Sequence, residues 1–181
     1  MNVFKRTIAA LQSLNRRLQS PQRRPDEGLV KVQVRLVGAA RESGYETESL
    51  WAEPLGNNRY LIWNVPLLAY NLDMRAIVEC APDPDGGLPI VTHVVRPGDC
   101  FGVRLYFSKS ATDSDIESVL NVLAQRHPVM EKGSRLLWAV GFRSLADHNW
   151  AGPALRAFIE RGIVHIESTA QADQPEIGST A

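Results

Sequence analysis

A period-two alternation of apolar and polar residues over 29–37 constrains this chain more than any other feature. Four aliphatic side chains there alternate with Lys31, Gln33 and Arg35. That period is typical of a β-strand with one face in the core and the other in solvent. The segment therefore predicts a half-buried strand at the start of a β-rich region.

Two turn sequences each separate a pair of apolar runs and predict two β-hairpins. In the first, Gly56-Asn57-Asn58 joins residues 50–55 to residues 59–63, and glycine and asparagine tolerate a positive φ. In the second, the sequence PDPDGG at 82–87 is a strong turn signal. Together with the first strand, the hairpins predict a small antiparallel sheet or barrel over residues 29–100. The polar stretch after the first strand predicts a loop.

Two helices are predicted in the second half of the chain. The first spans residues 113–126, where apolar side chains recur at helical spacing and Ser114 with Glu117 fits a capping box. The second spans residues 150–161, with Pro153 in its first turn, where a missing N–H is tolerated.

Four predicted strands flank these helices, at 103–107, 127–131, 135–142 and 163–167. The order βαββαβ over residues 101–168 predicts a ferredoxin-like unit with both helices on one face of its sheet. Arg104, Tyr106 and His165 fall on the other face, which must meet solvent, a ligand or the β-rich half. The basic-aromatic motif of an RNA-recognition module is missing from the central strand, which argues against RNA binding.

The ends of the chain differ from its body in charge. Residues 1–24 hold six basic residues and no acids, whereas residues 25–181 hold 14 bases against 20 acids. Residues 3–19 predict a basic amphipathic helix, followed by a linker that ends at residue 28. Packing on the body, pairing with a partner protein and lying on an anionic membrane remain open for this helix. The polar residues 169–181 predict a disordered tail.

The sequence predicts a soluble cytoplasmic protein of the α+β class, since no secretory signal is evident and the two cysteines, Cys80 and Cys100, are too few for a disulfide scaffold. Apolar residues make up 44% of the chain and charged residues 22%, and the longest apolar runs are LLWAV and PLLA. Those runs are far shorter than the ~20 residues of a membrane span, so membrane contact is expected only through residues 1–24. The acidic body argues against DNA binding.

The segment ESLWAEPLGNNRYLIWNVPLLAYN at 48–71 combines a Trp-x-Glu-Pro-Leu strand, a Gly/Asn turn and an Asn-x-Pro sequence. It resembles the signature of a bacterial family catalogued only as a domain of unknown function. In this resemblance Trp51, Glu53, Asn64 and Pro66 stand at motif positions. The resemblance implies a shared fold and carries no activity with it.

Two groups of residues invite a chemical interpretation. Glu53 and Asn64 lie on neighbouring strands and suit a ligand amine, or else Asn64 caps the turn before Pro66 while Glu53 accepts a backbone N–H. Cys80 and His93 lie on paired strands, but no orienting carboxylate marks a catalytic dyad, and we expect a buried thiol beside a surface histidine. The histidines are dispersed and no metal-ligand spacing or phosphate loop occurs, so we predict no metal and no cofactor.

These observations favour a non-catalytic module that binds another protein with a basic surface, since the body is acidic. An immunity protein that neutralises a bacterial toxin is the most concrete form of this hypothesis. The alternative is a small-molecule-binding regulatory protein with a groove between the two halves. The predicted binding residues are Trp51, Glu53, Asn64, Pro66, Arg104 and Tyr106.

Overall fold

The computed structural model describes residues 28–42, 44–170 and 177. The predicted helix at 3–19 and its linker lie outside these residues, apart from the last linker position. Within the described part, the chain has the expected mixed α+β fold, with a closed five-stranded barrel and a second, four-stranded sheet. No helix in that part is long and apolar enough to cross a membrane.

The first half of the chain forms the barrel. Its elements are β1 (Val30–Arg35), α1 (Gly38–Glu42), β2 (Thr47–Gly56), β3 (Arg59–Ile62), β4 (Ile77–Ala81) and β5 (Ile90–Arg96). Strands β1 to β5 pair antiparallel in chain order. A parallel contact between Gln33 and Ile90 closes the barrel. Both predicted hairpins are present, but the predicted loop after β1 contains the short helix α1.

The alternation in the sequence explains why this sheet closes around a core. The inward-facing Val32, Leu50 and Ile62 are fully buried, one on each of the first three strands. At the β2–β3 turn, Asn57 and Asn58 have φ angles of 52° and 57°. That left-handed conformation is one that asparagine adopts more readily than most residues, and it joins adjacent strands tightly.

The second half forms a sheet covered by helices on one face. Its elements are β6 (Phe101–Phe107), α2 (Asp113–Ala124), β7 (Val129–Lys132), β8 (Leu137–Phe142), α3 (Leu145–Ala154), α4 (Arg156–Glu160) and β9 (Val164–Ser168). The strand order is β7-β8-β6-β9, with antiparallel neighbours throughout. Leu105 and Val140 of the sheet pack with Leu120 of α2 and Leu155 in one core.

The capping box of α2 lies two residues before the predicted one. Thr112 is the N-cap, and its hydroxyl accepts from the Asp115 N–H at 3.1 Å while the Asp115 carboxylate accepts from the Thr112 N–H at 3.0 Å. The predicted pair of Ser114 and Glu117 was wrong. Thr112 has the extended backbone of an N-cap, whereas Ser114 already lies within the first turn.

The second predicted helix begins earlier and is divided. α3 starts at Leu145, after Ser144, whose hydroxyl accepts from the Asp147 N–H. Pro153 therefore lies in the last turn of α3 and not in its first turn, as predicted. The chain leaves helical geometry at Leu155, where φ is −96° and ψ is 3°, before α4 begins.

Residues 64–76, between β3 and β4, lie between the barrel and the second sheet, and we call them the interlayer segment. On one side, Ala69 and Leu72 join the barrel core. On the other side, Val65 packs with Ala139 of β8. The face of the sheet opposite the helices is therefore covered by the β-rich half.

The chain remains ordered past β9. Thr169 is buried, and both its N–H and its hydroxyl donate to the Gly102 carbonyl at 3.0 Å. The prediction of a disordered tail from residue 169 was thus wrong at its start. Ile177 packs against the barrel core, and residues 171–176 and 178–181 lie outside the described part of the chain.

Candidate functional site

An aromatic surface lies on the outside of the barrel, and we call it the tryptophan wall. Its members are Lys31, Trp51, Glu53, Leu55, Leu61 and Trp63. The alternation of β2 and β3 places these side chains outward, because the intervening Ala52 and Ile62 are fully buried. Trp51 and Leu55 are 48% and 47% exposed. Large apolar side chains therefore stand at outward positions of two adjacent strands.

Polar contacts hold both indole rings of the wall in place. The backbone N–H of Trp63 donates to the backbone carbonyl of Trp51 at 2.9 Å, so the two residues are cross-strand neighbours. Lys31 Nζ lies 5.1 Å from the centroid of the Trp51 ring, a cation–π distance. Trp63 Nε1 donates to Glu53 Oε2 at 3.2 Å. The wall thus presents a half-exposed indole that is already oriented.

Asn64 and Pro66 support this surface from its edge. Asn64 Oδ1 accepts from the Trp51 N–H at 2.9 Å, which ties the chain after β3 to β2. Pro66 is buried at the start of the interlayer segment. Asn64 and Glu53 therefore make structural hydrogen bonds, but with partners other than those expected. Asn64 bonds across the hairpin, and Glu53 accepts from an indole.

Glu48, which was not among the predicted residues, anchors the interlayer segment. Its buried carboxylate accepts from three consecutive backbone N–H groups, those of Leu67 at 2.6 Å, Leu68 at 3.0 Å and Ala69 at 2.8 Å. A signal was present in the sequence. Glu48 shares the inward-facing register of Leu50, where a carboxylate requires dedicated donors.

Arg104 lies beneath the interlayer segment and is only 1% exposed. Its Nη2 donates to the Ala69 carbonyl, and its Nη1 lies 3.4 Å from Glu167 Oε2. Its guanidinium carbon lies 4.1 Å from the centroid of the Tyr70 ring. Of the three alternatives for this face of the sheet, contact with the β-rich half is the one observed at Arg104.

Glu167 is the centre of this buried polar cluster. Its two carboxylate oxygens accept from the hydroxyls of Tyr70 at 2.9 Å and Tyr106 at 3.1 Å. Burial raises the pKa of Tyr106 to about 12, so its hydroxyl stays protonated and continues to donate. The cluster joins β6 and β9 to the interlayer segment. Its geometry serves to attach one half of the protein to the other.

Neither cysteine has the environment of a nucleophile. Cys80 is buried in the barrel, and burial raises the pKa of its thiol to about 12. His93 is exposed, and its Nε2 lies 3.7 Å from Glu79 Oε2. Burial likewise raises the pKa of Cys100 to about 12. A thiolate is needed for nucleophilic attack, and these sites disfavour it.

Asp73 is the acidic residue of the interlayer segment itself, and burial alters its environment. Burial raises the pKa of its carboxyl to about 6, although a hydrogen bond with Thr169 and the charge of His148 act to lower the pKa. Its neutral form is therefore favoured in the folded protein relative to an exposed aspartate.

A family model matches the part of the chain that contains most of these residues. The model described as Domain of unknown function (DUF4265) matches residues 48–165. The chain belongs to this family. The DUF4265 match begins at Glu48 and includes every member of the tryptophan wall except Lys31, together with the whole interlayer segment. It ends before Glu167.

One solved structure has a similar fold. A structure titled "Novel crystal structure of a hypothetical protein from Neisseria gonorrhoeae" matches with a TM-score of 0.63 at 16% sequence identity. The match covers 78% of this chain and 95% of the Neisseria chain. No curated protein matches the sequence. The similarity to the Neisseria protein concerns the fold alone.

Proposed function

We propose that this DUF4265 protein is a non-catalytic module that binds another protein through its tryptophan wall. The observation that carries the proposal is the half-exposed Trp51, which is held in place by Lys31 and by the neighbouring strand. Tryptophan is among the residues that contribute most to protein–protein binding, especially when it is oriented before binding. The outward side chains of Trp51 and Leu55 also contribute nothing to the packing of the barrel core, which Ala52 and Ile62 fill from the other face of these strands.

The proposed partner carries a basic surface around an apolar contact. Residues 28–170 hold 16 acidic residues against 14 basic ones, and Glu53 lies within the wall. Such an excess of acidic groups steers a basic partner toward the surface, while the apolar contact supplies affinity. Neutralisation of a toxin by an immunity protein is the most concrete form of this proposal.

We also infer that residues 101–168 form a ferredoxin-like unit, separate from a β-rich domain over residues 29–100. The order β7-β8-β6-β9 and the placement of the helices on one face support this inference. A cytoplasmic location is part of the same proposal, and the buried thiols of Cys80 and Cys100 are consistent with a reducing compartment.

The test is affinity purification of the tagged full-length protein from its source cells at low and high salt, followed by mass spectrometry. Trp51→Ser removes the proposed contact, and Tyr45→Ser is the matched control, because Tyr45 is an exposed aromatic residue outside the wall. Loss of a central tryptophan costs about 2 kcal/mol or more, or about 30-fold in affinity.

We expect one basic protein to co-purify in stoichiometric amount. High salt should weaken its binding, Trp51→Ser should abolish its recovery, and Tyr45→Ser should leave its recovery unchanged. For a toxin-neutralising role, co-expression of the protein must also relieve the toxicity of that partner. Recovery of no partner at either salt concentration would contradict the proposal. That result would favour the alternative function, in which a small-molecule ligand binds at Trp51, Glu53 and Asn64. A thermal-shift screen detects such a ligand.

A further inference from the structure

We propose that residues 1–24 of the same chain occupy the tryptophan wall while no partner is bound. The surface would then be covered in the free protein, and a partner would have to displace this segment. The inference concerns a contact within one chain and does not depend on the existence of an external partner.

The described part of the chain begins beside the wall. Gly28 is the first residue of the described part, three positions before Lys31, whose ammonium group lies over Trp51. Residues 20–28 span about 30 Å when extended. From Trp51 to Leu55, the wall measures only about 13 Å along β2. Every point of the wall is therefore within reach of the segment.

The chemistry of the segment also suits this surface. Ile8, Leu11 and Leu18 recur at helical spacing, and from Ile8 to Leu18 a helix would be about 15 Å long, which is close to the length of the wall. The six basic residues of the segment, with no acids, complement Glu53 and the acidic excess of residues 28–170. Its charge and apolar pattern are those proposed above for the external partner.

The contact can be measured in the full-length protein by paramagnetic broadening in NMR. Ser13→Cys carries a nitroxide label at a position opposite Ile8 and Leu11 on a helical wheel. Cys80 and Cys100 are buried, so the introduced thiol is labelled selectively. The readout is the indole N–H signal of each of the four tryptophans. Trp138 and Trp150 pack on the helix-covered side of the second sheet and serve as internal references.

We expect the signals of Trp51 and Trp63 to lose most of their intensity while those of Trp138 and Trp150 persist. Leu11→Glu, added to the labelled protein, should restore the two signals, whereas Gln12→Glu, which adds the same charge beside the apolar stripe, should not. Equal broadening of all four signals, or of none, would overturn the proposal.

A mixed sample separates contact within one chain from contact between copies. It combines labelled protein lacking ¹⁵N with unlabelled ¹⁵N protein. Broadening of Trp51 in this mixture would show that a second copy supplies the segment, and would overturn the intramolecular contact. Capture of an external partner in the purification experiment remains an independent result, so the two proposals can fail separately.

Discussion

Replacement of Arg104 by methionine tests whether the buried polar cluster holds the two halves together. Methionine keeps the apolar stem but removes the donor to Ala69 and the charge that faces Glu167. Removal of one member of a buried ion pair costs about 3–5 kcal/mol. We expect about 3 kcal/mol, the lower end, because the Glu167 side chain is 20% exposed and keeps the hydroxyl donors of Tyr70 and Tyr106.

Urea unfolding of Arg104→Met and of a matched control measures this difference. The control is Arg75→Met, because Arg75 Nε lies 2.9 Å from Asp99 Oδ1 in a pair whose side chains are 56% and 70% exposed. Exposed pairs contribute about 0–1 kcal/mol. With an m-value of about 2 kcal/mol per molar urea, Arg104→Met should lower the midpoint by about 1.5 M and the control by less than about 0.5 M.

Equal midpoints for the two variants would refute the reasoning, since the contrast rests on the burial of the Arg104 guanidinium and its hydrogen bond to Ala69. A second result sharpens the test. Glu167→Gln in the Arg104→Met background removes the charge left without its guanidinium partner, and should therefore recover part of the lost stability. Strictly additive losses in the double variant would show that the two side chains do not interact energetically.

Three further outcomes follow from the packing and the buried titratable groups. Gly141→Ala would place Cβ 2.5 Å from Cys100 Sγ and should destabilise by about 1–3 kcal/mol in thermal unfolding. Gly152→Ala should destabilise by less than Gly141→Ala, because its Cβ meets nothing within 4 Å apart from its chain neighbours, although Pro153 next to it disfavours helical geometry in a residue with a Cβ. Because the pKa of Asp73 is raised from 3.8 to about 6, the contribution of Asp73 to stability should be greatest below pH 4 and fall by about 1–3 kcal/mol as pH rises through 6. Asp73→Asn should remove this contribution in urea titrations at several pH values, and an unchanged pH dependence would contradict it. Ellman's reagent should not react with Cys80 or Cys100 in the native protein but should titrate both thiols in urea, and rapid native reaction would contradict their burial.

Local patterns were sufficient to predict most strands because each depends on neighbours a few residues away. The alternation over 29–37 and the asparagines of the β2–β3 turn are of this kind, and both matched the structure. The start of α3 was missed because Pro153 was assigned to a first turn. Nothing local indicated that a helix could already run from Leu145 and accept proline near its end.

Contacts between distant parts of the chain were out of reach of local patterns. Arg104 bonds to Ala69, 35 positions away, and Tyr70 to Glu167, 97 positions away. Arg104 was predicted on one face of its strand, and that face could be solvated, bind a ligand or meet the β-rich half. Only the path of the interlayer segment decides among these, and an irregular segment has no periodicity from which to predict its path.

The positions where side chains depart from the usual inward and outward pattern divide into two kinds. Glu48 and Arg104 are charged groups at buried positions, and hydrogen bonds within the protein account for both. Trp51 and Leu55 are apolar groups at outward positions, and they remain about half exposed. Departures from local rules without compensation inside the fold are expected at functional sites. On this contrast we base the proposal that the tryptophan wall binds a partner, whereas the hydrogen bonds of the buried cluster attach the two halves to each other.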